Sequence, residues 1–192
     1  MALTRMFFDT EFTGLHKDTT LISIGVAYED GHEFYAELTD YDTTQVNDWI
    51  AENVIANLIL SDMEENTCKF KNQMTCKYVR GDKNYVAKAL DYWHQLIQCN
   101  YPSTKLEVWS DCLAYDWVLY CDLYGHAFNL PQNIFYIPFD ICTLFKIKGI
   151  DPDINRETFA GIEGKKHNAL HDARVIRACY DKLRETGCKS NE

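Results

Sequence analysis

An apolar run near the N-terminus, Met6-Phe7-Phe8, leads into two carboxylates one residue apart, Asp9 and Glu11, and then into a turn at Thr13-Gly14. The run predicts a strand over 4–9. In a strand, residues i and i+2 project to the same face, so the two carboxylates point together. Like charges held that close must be relieved by a raised pKa or by a cation. The end of a strand is also where open sheets place their chemistry. A second pair with the same spacing, Asp62 and Glu64, has no apolar run before it and reads as a solvated loop.

Two other segments carry groups that could join this pair. In Lys165–Ile176 the residues Ala169, Leu170, Ala173 and Ile176 form one apolar stripe, which predicts a C-terminal helix over about 167–186. His167 and Asp172 lie at its N-terminal end, more than one turn apart, as the chain's only His-x4-Asp. His171 reads as a solvated or capping neighbour. Upstream, Leu106–Trp109 predicts a strand running through Ser110-Asp111 into an apolar, aromatic helix that contains Asp116. A carboxylate in that setting needs a partner, a hydrogen bond or a metal. Asp111 is the rival candidate, and an N-cap role accounts for it.

The remaining patterning predicts a mixed sheet. Strands over 20–29 and 32–39 flank the turn Glu29-Asp30-Gly31 and should pair as an antiparallel hairpin. Helices are expected over 45–58, with Trp49, Ile50, Val54 and Leu58 on one side, and over 83–98, with Val86, Leu90, Trp93 and Ile97 in line. A short strand is expected at 134–138. Residues 61–82 read as a polar connection, and 151–166 show no pattern. Three strands followed by strand–helix alternation indicate an α/β fold of one domain, 1–192. No apolar run approaches the roughly 20 residues that span a bilayer. Asp9 and Glu11 interrupt any N-terminal signal segment. Eight cysteines without CxxC or paired spacing point to reduced thiols in a cytoplasm, rather than to a disulfide framework or a zinc site.

Taken in order, Phe8-Asp9-Thr10-Glu11-Phe12-Thr13-Gly14, Tyr115-Asp116 and His167-Asn168-Ala169-Leu170-His171-Asp172-Ala173 resemble the motifs of DEDD-type 3′→5′ exonucleases of the histidine subclass. Within that group the chain is similar to ribonuclease AS-like exoribonucleases, through Leu21–Val26, Glu29–Ala36, Trp49–Val54, Glu107–Trp109 and His167–Arg174. The resemblance spans nearly the whole chain. It implies a ribonuclease H-like mixed sheet flanked by helices, and a homodimer. It also implies a metal-dependent exoribonuclease that removes nucleoside 5′-monophosphates from single-stranded RNA 3′ ends, with a preference for adenylate.

The same resemblance implies two Mg²⁺ ions, with Mn²⁺ able to substitute. Asp9 would bridge both, Glu11 and Asp172 would complete one, and Asp116 would support the second. His167 would take the proton from the attacking water. Glu11, Phe12, Thr13 and Leu15 would contact substrate, with Phe12 and Leu15 packing on the terminal base; core packing is the alternative for Phe12. The row Tyr115, Trp117, Tyr120 and Tyr124 supplies either a subunit contact or core packing.

A net charge of −10 disfavours a protein that coats nucleic acid, but not one that holds a few terminal nucleotides. The acidic excess lies in residues 1–140. The slightly basic remainder holds the phosphate-contact candidates Lys146, Lys148, Arg156, Lys165, Lys166 and Arg174. Two other functions compete: a DNA exonuclease with the same site, and a catalytically silent nucleic-acid-binding module. Four carboxylates together with His167 speak against the silent module.

Overall fold

The N-terminal apolar run builds the strand from which the site is organised, β1 (Thr4–Phe12), in a computed structural model that describes residues 4–72, 74–99 and 105–185. Met6 and Phe8 face a core completed by helix α2 (Lys83–Cys99) and helix α3 (Ala114–Leu123). Phe7, on the other face, packs with helix α4 (Ile141–Ile147) and helix α6 (Ala169–Glu185). With helices on both sides, the central strands must be apolar on both faces. Strand β2 (Leu21–Tyr28) is buried at every position.

The remaining strands are β3 (Glu33–Leu38), β4 (Thr67–Lys71), β5 (Cys76–Gly81), β6 (Leu106–Ser110) and β7 (Phe139–Asp140). Their order is β4-β5-β3-β2-β1-β6-β7. Pairs β1–β2, β2–β3 and β4–β5 are antiparallel and pairs β3–β5, β1–β6 and β6–β7 are parallel, so the sheet is mixed, as expected. The hairpin of β2 and β3 forms where the turn residues place it. In α2 the residues Val86, Leu90, Trp93 and Ile97 are buried together with His94.

Several elements differ from the sequence reading. Strand β1 does not stop at Asp9. It stays paired through Asp9↔Gly25 and Glu11↔Ser23, and an irregularity falls only between Glu11 and Phe12. The helix expected over 45–58 is broken into α1 (Asp48–Asn53), capped by Asn47, and a 3₁₀ turn at Ile55–Asn57. Trp49 is 55% exposed instead of joining Ile50 and Val54 in the core.

Residues 61–82 are not a connection but contain β4 and β5. Strand β4 is the sheet edge and mostly exposed, so its composition is polar; lysines there discourage further strand pairing. Buried Lys77 of β5 donates to the Ala89 carbonyl at 3.3 Å and lies 5.1 Å from the Tyr92 ring centre. The strand expected at 134–138 is displaced to β7, leaving one bridge from Ile134 to Leu106. Helix α4 and helix α5 (Arg156–Ala160) are about two turns or less, too short to show a helical period.

In the aromatic row of α3, Tyr120 is fully buried and Trp117 and Tyr124 pack against the core, so core packing accounts for these three. The seven described cysteines are free; Cys188 lies outside the described residues. Among the described residues no helix is long and apolar enough to cross a membrane.

One close approach sets the position of α6. A Cβ on Gly25 would lie 2.2 Å from the Leu170 backbone nitrogen, and Gly25 is directly opposite Asp9 on β1. The first turn of α6 can rest on β2 only because that side chain is missing. Gly25→Ala should therefore push the helix start outward and cost about 1–3 kcal/mol, the usual range for overpacking. Urea unfolding measures this, and wild-type stability of the variant would contradict the placement.

Candidate active site

Asp9 and Glu11 project from the face of β1 that also carries Phe7, toward α6. That helix starts at Asn168, whose Oδ1 accepts from the His171 backbone N–H at 3.2 Å and whose carbonyl accepts from the Asp172 N–H. The backbone N–H groups of His167 and Asn168 lie toward the Asp172 carboxylate and favour its charged form. An acid in the first helical turn also benefits from the helix dipole. Oxygen atoms of Asp9, Glu11 and Asp172 all come within 4.8 Å of one another.

Asp116 arrives from the other face of the sheet. Pairing of β1 with β6 ends at Phe7↔Trp109, after which the chain leaves β6 and enters α3. The Thr10 backbone N–H donates to Asp116 Oδ1 at 3.0 Å, and the Thr10 hydroxyl donates to the same oxygen. The residue between Asp9 and Glu11 thus anchors the fourth carboxylate.

These groups disfavour one another's charge. Burial pushes the Asp9 carboxyl well above its ordinary value, and the charges of Asp116, Asp172 and Glu11 raise it further. Glu11 is pushed from 4.5 to about 8, by burial and then by Asp172 and Asp116. Burial also raises Asp116 and Asp172 from 3.8 to about 6, against the opposing hydrogen bonds from Thr10 in the first case and the charge of His171 in the second. Full ionisation of this set needs positive charge from outside the four side chains.

The carboxylates and His167 line one open cavity of about 740 Å³. His167 is not on α6 as expected. It precedes the helix with a left-handed φ of 57°. Its segment is tied to the 3₁₀ turn at 55–57: Asn57 Nδ2 donates to the Lys166 carbonyl at 2.8 Å and Lys165 Nζ to the Ala56 carbonyl at 3.1 Å. The exposed Trp49 ring stands edge-on to the imidazole, 5.2 Å between centres. Partial burial, and next the charge of Lys166, lower the His167 pKa below 6.5, so the ring is neutral near pH 7 and has a free lone pair.

Other expected assignments are corrected. His171 is buried, not solvated. Its Nε2 lies 2.9 Å from Glu157 Oε1, and the ring packs so tightly on Gly164 that a Cβ there would be 2.1 Å away. Asp111 caps no helix. It accepts from Arg156 Nε at 2.8 Å and Nη2 at 3.0 Å, while α3 begins after Leu113 without a side-chain cap.

Thr13 is buried outside the cavity, with its hydroxyl donating to Gln45 and accepting from the Thr20 N–H. Arg174 is held by Glu33 through two bonds of 2.6 Å, which removes it from the phosphate-contact candidates. Arg156 and Lys166 do line the cavity. Phe12 stacks on Tyr115 with ring centres 5.6 Å apart, and both rings also line it, so packing and exposure to substrate coexist there. Leu15 stands at the cavity, 78% exposed. Trp49 is the residue the sequence reading missed; its helical spacing with Ile50 and Val54 gave no sign that it faces the cleft.

Residues 4–183 match the family described as the 3′-5′ exoribonuclease Rv2179c-like domain. Two curated relatives come from Mycobacterium tuberculosis: 3′-5′ exoribonuclease Rv2179c of strain H37Rv and 3′-5′ exoribonuclease MT2234.1 of strain CDC 1551. Each is 27% identical over 174 residues, which cover 88% of this chain and 87% of the relative. The matched span includes β1, α3 and α6 as far as Leu183, and with them Asp9, Glu11, Asp116, His167 and Asp172. The chain belongs to the Rv2179c-like 3′-5′ exoribonuclease domain family.

Proposed function

We propose that this protein is a two-metal exoribonuclease of the histidine DEDD type, which removes nucleoside 5′-monophosphates stepwise from the 3′ end of single-stranded RNA. The observation that carries this reading is the convergence of three carboxylate oxygens within 4.8 Å, with Asp116 docked on the strand between two of them. The donor set is all oxygen, as Mg²⁺ and Mn²⁺ prefer, and burial with mutual repulsion leaves it short of positive charge. Asp9, Glu11, Asp116 and Asp172 would hold two Mg²⁺ ions, with Mn²⁺ able to substitute, and the ions would stabilise charge on the entering and leaving oxygens.

The chain's own groups do the rest. Neutral His167 takes a proton from the attacking water. Phe12 and Leu15 offer apolar surface to the terminal base, and Lys166 is the cation at the cleft for phosphate. Glu11 accepts from the terminal ribose, whose 2′-OH and 3′-OH lie side by side. DNA lacks the first of these donors, and such a charge-assisted bond contributes about 1.5–3 kcal/mol, or roughly 10- to 150-fold discrimination. Preference for adenylate-rich ends rests on the resemblance to ribonuclease AS-like enzymes. A DNA exonuclease would use the same carboxylates, so the sugar is the point of decision.

Steady-state kinetics on 5′-labelled RNA tails of A, U and C, beside the same sequences as DNA, should give the highest kcat/KM on A-tailed single-stranded RNA, with duplex ends resisted. Equal or faster cleavage of DNA would move the protein to the deoxyribonuclease reading.

A separate test concerns the base. His167→Ala should lower kcat by about 10²- to 10⁴-fold with the fold intact. Protonation of His167 removes the base, so activity falls as pH drops through its pKa, which burial and next the Lys166 charge hold below the ordinary imidazole value. Lys166→Gln should move that acid limb to higher pH. An unmoved limb would show that His167 is not the titrating group.

A further inference from the structure

Cys112 and Cys142, outside the carboxylate set, meet at the edge of the catalytic cleft. Cys112 sits in the turn from β6 to α3 with a left-handed φ of 51°, is exposed, and lines the cavity. Its Sγ is 3.5 Å from Sγ of Cys142, in the first turn of α4. The Cys142 thiol donates to Asp111 Oδ1 at 2.9 Å, and Arg156 Nη2 donates to the same sulfur at 3.1 Å. The sequence shows no pairing signal, because thirty residues and a helix separate the two.

Asp111, Cys112 and Cys142 have the reach to chelate a metal ion. Arg156 argues for different chemistry: its guanidinium touches both Asp111 and Cys142 and would repel a dication placed there. We propose that Cys112 and Cys142 are a thiol–disulfide modification site, closed by a low-molecular-weight disulfide, that slows the enzyme when oxidised.

The exposed Cys112 thiolate attacks one sulfur of the small disulfide, forming a mixed disulfide and releasing one thiolate. Cys142 gives its proton to the released small thiolate and attacks Cys112 Sγ, expelling the second small thiolate, which takes up the proton that Cys112 lost to solvent. Two protein thiols and one small disulfide become one protein disulfide and two small thiols. Cys142 is the resolving partner because it is half-buried and its thiol pKa is raised by burial and by Asp111.

Bond formation draws the sulfurs from 3.5 Å to about 2 Å. It strips Asp111 of the thiol donor and pulls the turn that leads into α3 toward α4. Asp116 is on the first turn of α3, and displacement of a site group by about 1 Å can cost about 10²-fold in rate.

The test incubates the purified full-length protein with oxidised glutathione, then reads intact mass, a chymotryptic map separating Cys112, Cys121 and Cys142, and RNA degradation. The expected result is a Cys112–Cys142 link with loss of two hydrogens, a rate lowered about 10- to 100-fold, and full recovery in dithiothreitol. Cys142→Ser keeps a hydroxyl donor for Asp111, so it should retain reduced-state activity and accumulate a glutathione adduct on Cys112. A persistent adduct on Cys112 of the wild-type protein, with no internal link, would overturn the site. A complete link with unchanged rate would overturn its effect. The link is read by mass, so its failure is distinguishable from a wrong substrate assignment.

Discussion

Four carboxylates crowd around the end of β1 in an environment that opposes their ionisation, and much of the surrounding structure serves to hold them there. Neither β1 nor α6 would bring Asp9 and Asp172 together without Gly25, which lets the helix start rest on the sheet. Each incoming acid meets backbone N–H donors: Thr10 bonds Asp116, and His167 and Asn168 lie toward Asp172. These donors favour the charged forms, while burial and mutual repulsion oppose them, and burial is the largest influence on all four. The proposed Mg²⁺ ions would supply the positive charge that this arrangement lacks.

The same logic extends outward through buried polar residues. Glu37, on β3, accepts from the Tyr35 hydroxyl and from the backbone N–H groups of Ile59 and Leu60. That fixes the chain just after the 3₁₀ turn at 55–57, which in turn holds the backbone beside His167. On the other side, Glu157 of α5 joins His171 of α6 and approaches Lys166 at 3.5 Å. The imidazole therefore lies on a segment gripped from two elements, although it is outside any helix itself. Arrangement of site groups to within about half an ångström depends on this kind of support.

The central features were legible from residues that are locally decisive. The i, i+2 spacing of Asp9 and Glu11 and the stripe of α6 follow from strand and helix periods, and Asp116 stood out as an acid among apolar neighbours. What could not be read depends on partners distant in sequence. Asp111 resembles a cap until Arg156 is seen beside it, and Arg174 resembles a phosphate contact until Glu33 is. His171 looked solvated because nothing local announces Glu157 and Gly164. Strand β4 was hidden by its exposed, lysine-bearing composition, and α4 and α5 by their brevity.

Thermal unfolding across pH, in EDTA and in Mg²⁺, tests the central claim most directly. Glu11, Asp116 and Asp172 titrate higher in the folded protein, at about 8, 6 and 6, than their ordinary values of 4.5, 3.8 and 3.8. The folded state therefore binds more protons than the unfolded chain across that window. The associated stability is fully present below about pH 4 and is lost as pH rises through the folded values, toward about pH 8. In EDTA, the Tm of the wild-type protein should fall across this range more steeply than that of Asp9→Asn, and Mg²⁺ should restore the wild-type Tm most strongly at the alkaline end. A wild-type Tm with the same pH slope as Asp9→Asn, and no response to Mg²⁺, would contradict the account.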